Sequence, residues 1–362
     1  MIPAPEPIHA FEHALRGRRI LVTGHTGFTG SWASHWLHAI GAEVHGFSLP
    51  PPTVPSLFVD TGVAQSLAGH HIGDIRDYAA MEAAVREIAP DAILHLAAQP
   101  LVRRSYVEPL ETFDSNLMGT VHVLEAARRC GVAGVVCITT DKVYANREWV
   151  YGYRETDRLG GKDPYSASKA CAELAVASYR DSMPSWGQKL LIAVARGGNI
   201  IGGGDWAEDR LIPDFARAAS AGEPIVLRNP DASRPWQHVL CLVHGYMVLL
   251  AKVLAGEDSV SDAWNLGPHA AESKSVGQVV ERLRARWSEL DVRIEPAQLH
   301  ESKFLALDPT KAERQLGWRP AWSIDDGIDH TADWYAAYQR NPANARAITL
   351  EQILAYRQGL AA

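Results

Sequence analysis

The sequence predicts an α/β protein: a doubly wound parallel sheet with a smaller C-terminal α/β lobe. Three observations predict it. Short apolar runs alternate with helical patterns through the first half. A glycine-rich turn joins the first apolar run to the first helix. The alternation then loosens after Asn199, where Gly202, Gly203 and Gly204 break it. Regular strand–helix alternation calls for parallel pairing through right-handed crossovers.

The elements follow in order. Arg19 to Thr23 reads as a buried strand, and a helix is expected from about Ser31 to Ile40. Glu43 to Phe47 gives a second strand and His71 to Asp74 a weak third. Between them, Pro50, Pro51, Pro52 and Pro55 impose an extended loop over 49–57. Asp77 to Ile88 is helical, Ala92 to Leu96 is a fourth strand, and one helix is expected from about Thr112 to Cys130. Val135 to Thr139, the helix Ser166 to Asp181 and Leu190 to Ala195 complete the regular part. Later helices are expected at Arg210 to Ala221, Val239 to Leu254 and Val276 to Trp287, with short strands at Ile225 to Arg228 and Ala263 to Leu266. The boundaries that follow are a sheet domain over 15–198, with 233–262 returning to it, a smaller lobe over 199–232 and 263–340, and a tail over 341–362.

Composition excludes several classes. Of 362 residues, 47% are hydrophobic and 21% charged, which supports a packed core. The net charge of −7, without a long basic run, argues against a nucleic-acid partner. No apolar run is long enough to span a bilayer, so no membrane is expected. Pro3, Pro5, Glu6 and Pro7 lack the order of a signal peptide. Cys130, Cys137, Cys171 and Cys241 form no C-x-x-C pair and read as reduced thiols, so the cytoplasm is the expected compartment. No His, Cys and Asp cluster has metal spacing, and none is expected to bind one.

The turn Thr23-Gly24-His25-Thr26-Gly27-Phe28-Thr29-Gly30 follows the first strand and opens a helix. Glycines there let backbone amides approach a pyrophosphate at a helix N-terminus. This is the Rossmann arrangement for a dinucleotide. The second strand ends in Ser48, and no Lys or Arg lies between Ser48 and Ile75 to meet a 2′-phosphate, which favours NAD over NADP. His25 is either a ribose neighbour or a structural loop residue.

Tyr165 and Lys169 stand four apart at the start of a helix and share one face. An ammonium beside a phenol lowers its pKa, so the phenol can take a proton from a hydroxyl while hydride leaves the attached carbon. Thr139, Thr140, Asp141 and Lys142 lie at the carboxyl end of the fifth strand, where open parallel sheets place ligands.

The glycine turn, Ala97-Ala98-Gln99-Pro100, the Thr140 segment and Tyr165/Lys169 together resemble the extended short-chain dehydrogenase/reductase family. Thr140-Asp141-Lys142, Arg196-Gly197-Gly198-Asn199, Gly203-Gly204-Asp205-Trp206 and Arg234-Pro235-Trp236-Gln237-His238 resemble its sugar 4,6-dehydratases, in particular the branch acting on CDP-glucose. The likeness runs from about Arg18 to Asn341. It implies cofactor contacts from Gly24, His25, Thr26, Gly27, Phe28, Gly30, Ser48, Asp74, Ile75, Ala97, Ala98, Gln99, Asn116, Thr139, Tyr165 and Lys169. It also implies a homodimer through two helices of the cofactor domain.

The resemblance further implies a reaction. Tyr165, with Thr140, takes the 4-hydroxyl proton as hydride passes to NAD. Asp141 assists loss of the C6 hydroxyl. Lys142 either acts as the base at C5, with a lowered pKa, or stabilises the enolate as a cation. Arg234 is expected at the diphosphate, Asn199 at the sugar or its phosphates, and Asp205, Trp206, Arg210 and Arg228 toward the nucleotide. Trp206 and Trp236 otherwise pack between lobes, and His238 is expected among the substrate-binding residues, as a structural hydrogen-bonder rather than a catalyst. Val143, Thr139 and Ser48 depart from the family's usual Cys, Ser and acidic residue. Rival readings are an epimerase or dehydratase of another nucleotide sugar, or a non-catalytic dinucleotide sensor. Asp141 and Lys142 speak for dehydration, and retention of both Tyr165 and Lys169 speaks against a sensor.

Overall fold

The computed structural model describes residues 9–287, 290–295 and 304–360. Seven parallel strands form the central sheet. β1 (Arg19–Thr23), β2 (Glu43–Ser48), β3 (Gly69–Ile72), β4 (Ala92–His95), β5 (Gly134–Thr140) and β6 (Leu191–Gly197) are joined by an edge strand, Ala263–Leu266. The spatial order is Ala263–Leu266, β6, β5, β4, β1, β2, β3. β1 therefore lies between β2 and β4, and the order of strands reverses at β1 and β4. Ligands of open α/β sheets bind at such a switch point, beyond the strands' carboxyl ends.

The strands are apolar because both faces are covered: β4 and β6 are buried throughout. One face packs against the helix Val239–Leu254, of which 14 of 16 residues are buried. A helix this apolar on all sides belongs inside, and it lies under β4, β5 and β6. The opposite face carries the helices Tyr78–Ile88, Gly119–Arg129 and Pro164–Ser182.

Several expectations need correction. Ala263–Leu266, placed by sequence in the smaller lobe, pairs in parallel with β6 and extends the main sheet. The tail assigned to 341–362 is instead a helix, Ala345–Leu360, whose Ala345, Thr349, Ile353 and Tyr356 recur at helical spacing and are buried. It is clamped to the N-terminal helix Ala10–Leu15 by Arg357, whose Nε lies 2.7 Å from Glu12 Oε1. The single helix expected over 112–130 is interrupted by a π-helical turn, Asp114–Met118. The first long helix begins at Phe28, directly at the glycine turn, rather than at Ser31. The N-terminal residues read for a signal peptide, and parts of the segments 263–340 and 341–362, lie outside the described residues.

Three small pairings build the covering region: Asn199–Ile201 with Trp236–His238, Ser233–Arg234 with Lys274–Ser275, and Ile225–Leu227 with Val292–Ile294. The helices Leu211–Ala221, Val276–Arg284 and Ile324–Arg340 flank them. The triple glycine lets the last of these helices lie close: a Cβ on Gly203 would stand 1.9 Å from Trp334 Cγ.

Candidate active site

The glycine turn is built too tightly for side chains. Gly24 has φ +77°, and a Cβ there would lie 2.8 Å from the Ala97 amide nitrogen at the end of β4. A Cβ on Gly30 would lie 2.2 Å from the Gly24 carbonyl oxygen. At Gly27 the added Cβ meets one atom only, that same carbonyl at 3.3 Å, so it would fill open space at the helix N-terminus. Thr23 fixes the neighbouring strand ends: its Oγ1 lies 2.8 Å from His95 Nδ1 and accepts from the amides of Leu96 and Ala97 at 3.2 and 3.3 Å.

At the end of β2, Thr26 Oγ1 donates to the Leu49 carbonyl at 2.9 Å and lies 2.8 Å from Ser48 Oγ. A hydroxyl has one hydrogen to give, so Ser48 is the donor of that pair and keeps lone pairs for a further hydroxyl. His25 is buried, with Nε2 2.7 Å from His70 Nδ1 and its ring edge-on to Phe58. Burial first, then the neighbouring His70, lowers its pKa to about 3. Asp74 is gripped by Arg76 at 2.6 and 2.8 Å, which holds its carboxyl below the usual range. Ile75 packs over Gly119.

Gln99 and Asn116 are committed to the protein. Asn116 Oδ1 accepts the Gln99 amide at 2.8 Å, and its Nδ2 donates to the Gln99 carbonyl at 3.1 Å and to Ser168 Oγ at 2.9 Å. Asn116 thus ties the loop after β4 to the helix carrying Tyr165 and Lys169. Both Gln99 amide atoms are bonded within the 99–112 segment.

Asp163 starts the helix that carries Tyr165 and Lys169. Its side chain accepts from Ser166 N at 2.9 Å and Ser166 Oγ at 2.6 Å, and Pro164 occupies the first turn. Tyr165 and Lys169 then point toward β5. The Lys169 ammonium donates to the Ile138 carbonyl at 3.1 Å. Burial lowers its pKa to about 8, against smaller opposing effects of Cys137 and Glu173. Contrary to the lowering expected from Lys169, burial pushes the Tyr165 phenol up to about 12, offset only in part by the adjacent Thr140 hydroxyl and the Arg210 guanidinium.

Beyond β5, Thr140 Oγ1 donates to Asp141 Oδ1 at 2.9 Å, and Lys142 Nζ donates to the same oxygen at 3.1 Å and to Asn199 Oδ1 at 3.3 Å. Asp141 is fully buried, yet its Oδ2 has no partner. The structure therefore brings Thr140, Asp141, Lys142, Tyr165 and Asn199 together, with the Lys169 ammonium set against β5 at the Ile138 carbonyl. Thr139 is turned away from this group and donates to Glu173 Oε1 at 2.6 Å.

Of the residues expected around the sugar nucleotide, Arg210 lies 2.9 Å from Asp205 and close enough to Tyr165 to influence it. Arg228 lies 3.2 Å from Asp209, which also holds Arg103 at 3.1 Å. Arg234 donates to the Ser233 carbonyl at 2.9 Å. Trp206 packs on Tyr335 and Tyr338, and Trp236 donates to the Lys274 carbonyl at 2.9 Å. His238 caps the Val239–Leu254 helix through the Leu240 amide and sits between Trp32 and Trp322 at 1% exposure, facing the core.

Residues 21–331 match the family described as GDP-mannose 4,6 dehydratase. The chain belongs to this 4,6-dehydratase family. Among its relatives, the CDP-glucose 4,6-dehydratase of Salmonella typhimurium is 44% identical over 335 residues, covering 90% of this chain and 92% of the relative. The dTDP-glucose 4,6-dehydratase of Streptomyces griseus is 31% identical, covering 87% and 93%. In structure, the dTDP-glucose 4,6-dehydratase DesIV of Streptomyces venezuelae, solved with NAD bound, superposes with a TM-score of 0.76 at 27% identity, covering 90% of this chain and 99% of that one.

Sequence reasoning singled out none of three charged residues that pair around these elements, Arg103, Asp209 and Glu173. Arg103 and Asp209 lie in irregular segments without a motif. Glu173 lies on the catalytic helix one turn past Lys169, a spacing that marks it only once that helix is identified.

Proposed function

We propose that this enzyme converts CDP-glucose to CDP-4-keto-6-deoxyglucose and water, with NAD as a bound and regenerated cofactor. The buried Asp141 carries the reading. One oxygen is held by Thr140 and Lys142 and the other is unpartnered, beside the Tyr165–Lys169 pair. An epimerase needs no such acid–base pair.

The turn at Gly24, Gly27 and Gly30 fits a pyrophosphate, because the space a Cβ on Gly27 would fill is open at the helix N-terminus. Ser48 suits a ribose hydroxyl, which supports NAD over NADP. When bound, NAD supplies the hydride acceptor and later the hydride donor, so that C4 is oxidised and C6 reduced. Tyr165 takes the proton from O4, and the Lys169 ammonium stabilises the phenolate. Transfer of one proton from Lys142 to Asp141 Oδ1, 3.1 Å away, yields a neutral amine and a carboxylic acid together. Lys142 then takes the C5 proton while Asp141 gives its proton to the departing C6 hydroxyl. Lys142 returns its proton to C5. The proton from O4 replaces the one lost to water, by way of Thr140, which lies beside the phenol and donates to Asp141.

Arg234 is the proposed diphosphate ligand, and Arg210 and Arg228 flank the nucleotide, each held meanwhile by an aspartate. A homodimer is supported by exposed apolar side chains, Tyr106, Val107, Leu110, Met118 and Leu174, on packed neighbouring helical segments of the cofactor domain. Light scattering after size exclusion checks it. The four cysteines are free thiols, which suits the cytoplasm. Among the described residues, no helix is long and apolar enough to cross a membrane.

The deciding experiment incubates the purified protein with CDP-, dTDP-, UDP- and GDP-glucose in turn. A 4-keto-6-deoxy product is expected from CDP-glucose at the highest kcat/KM. A C4-epimerised sugar without water loss overturns dehydration, and preference for another nucleotide overturns the choice of CDP-glucose.

A further inference from the structure

Glu173 lies one turn beyond Lys169 and two beyond Tyr165 on the Pro164–Ser182 helix, and it is buried. Its carboxylate holds two strands to that helix. Oε1 accepts the Thr139 hydroxyl of β5 at 2.6 Å. Both oxygens accept from Arg196 Nε, at 3.0 and 2.9 Å, and Oε2 also accepts from Arg196 Nη2. Arg196 stands on β6 directly opposite Thr139. Its Nη1 donates to Tyr144 Oη at 2.7 Å and to the Glu155 carbonyl at 3.1 Å. The Tyr144 hydroxyl continues to Asn265 Oδ1 at 2.7 Å, on the edge strand. Neither Glu173 nor Arg196 has a role in the chemistry described above.

A buried ion pair adds little net stability, since desolvation offsets the attraction. A fork of this kind fixes distance and angle. What it fixes here is the residue preceding Thr140, Asp141 and Lys142, relative to the helix of Tyr165 and Lys169. It also sets charge. The Lys169 ammonium is faced by the Ile138 carbonyl and Cys137 from β5, by His95 from β4, and by Glu173 from its own helix. Burial keeps the Cys137 thiol and the His95 imidazole neutral, pushing the first up to about 12 and the second down to about 3. Glu173 is the anion in this group.

We propose that Glu173, held by Arg196, is a positioning residue: it sets the Thr139–Lys142 strand end against the catalytic helix and supplies the counter-charge for the Lys169 ammonium. The inference rests on the dehydratase reading of the site.

Three variants separate its two parts. Glu173→Gln keeps the size and removes the charge, but leaves Arg196 buried without its anion. The double variant Glu173→Gln/Arg196→Gln removes both charges and guards against misfolding. Glu173→Asp keeps the charge and shortens the reach. Turnover of CDP-glucose is measured against pH, and the Lys169 titration is followed directly by NMR of protein labelled with 15N-lysine. The double variant is expected to recover the melting temperature lost by the single one. Both glutamine variants lose about tenfold in kcat with KM little changed, and their basic limb and the Lys169 titration move to lower pH. Glu173→Asp keeps the wild-type limb with a reduced kcat. A folded double variant with wild-type kcat and an unmoved Lys169 titration overturns the inference. Because that titration needs no substrate, it decides the matter even if the wild type turns over no nucleotide-glucose, a result that sinks the dehydratase reading alone.

Discussion

Asp141 and Lys142 meet at a single atom. The ammonium lies 3.1 Å from Asp141 Oδ1, the oxygen that also accepts the Thr140 hydroxyl at 2.9 Å, so Oδ2 is left buried and unpartnered. An unsatisfied buried carboxylate oxygen is costly, and in the proposed reaction Asp141 is the acid that protonates the leaving hydroxyl. Asp141→Asn preserves shape and the Oδ1 acceptor but cannot deliver a proton. Formation of the deoxy product is expected to fall by roughly 10²–10⁴-fold, the range of general acid catalysis, with KM little changed. Oxidation at C4 continues, so reduced cofactor accumulates in a single turnover and is seen by its absorbance. Full product formation by the variant removes Asp141 from the acid role.

Lys169 links activity to stability with opposite signs. Burial lowers its pKa from 10.5 to about 8. The unfolded chain holds that proton more tightly, so folding at pH 7 works against a buried ammonium. The cost is full below about pH 8 and fades as pH rises toward 10.5. Lys169→Met is close in volume and carries no charge. It is expected to raise the melting temperature by a few degrees at pH 7, with the gain shrinking above pH 8, while turnover is lost. A melting difference that does not change with pH contradicts this account.

The local parts of this site were legible because their geometry is local. Tyr165 and Lys169 share a face by helical spacing, and Thr140 to Lys142 follow an apolar strand at its carboxyl end. Strands β1, β4, β5 and β6 announced themselves by apolar runs, whereas the weak third strand expected at His71 to Asp74 lies at Gly69–Ile72, where Gly-His-His-Ile offers no such run. The edge strand Ala263–Leu266 was found as a strand but misplaced, since four residues carry no information about which neighbour they join. The helix Ala345–Leu360 was missed because its buried face mixes Thr349, Gln352 and Tyr356 with few large aliphatics, so the apolar stripe is weak. The Glu173–Arg196 hub was illegible for a different reason: its partners are 23 residues apart and meet only once β5 and β6 are paired.

Two glycines of the cofactor turn should behave differently. A Cβ on Gly30 would lie 2.2 Å from the Gly24 carbonyl oxygen, so Gly30→Ala must displace backbone and lower both stability and NAD affinity. At Gly27 the nearest atom is 3.3 Å away, and Gly27→Ala is expected to fold with an almost unchanged melting temperature. Its methyl occupies the proposed pyrophosphate position, so NAD binding by calorimetry should weaken by about tenfold or more. Wild-type affinity in Gly27→Ala would place the cofactor elsewhere.

Asn116 offers the sharpest test of the scaffold behind the chemistry. Its amide joins the amide and carbonyl of Gln99 to Ser168 Oγ, which stands one residue before Lys169. Asn116→Leu keeps the branched shape and the number of heavy atoms while stranding these polar groups in the interior. Each stranded group costs about 1–3 kcal/mol. Part of that cost relaxes, because Ser168 keeps its 2.7 Å bond to the Tyr165 carbonyl. A loss of about 2–4 kcal/mol in urea unfolding is expected, with the m-value unchanged. The variant's remaining folded fraction should also show reduced kcat, since the loop after β4 and the catalytic helix lose their tie. If stability falls and kcat per folded molecule does not, Asn116 supports the fold alone and the cofactor loop is held by other contacts.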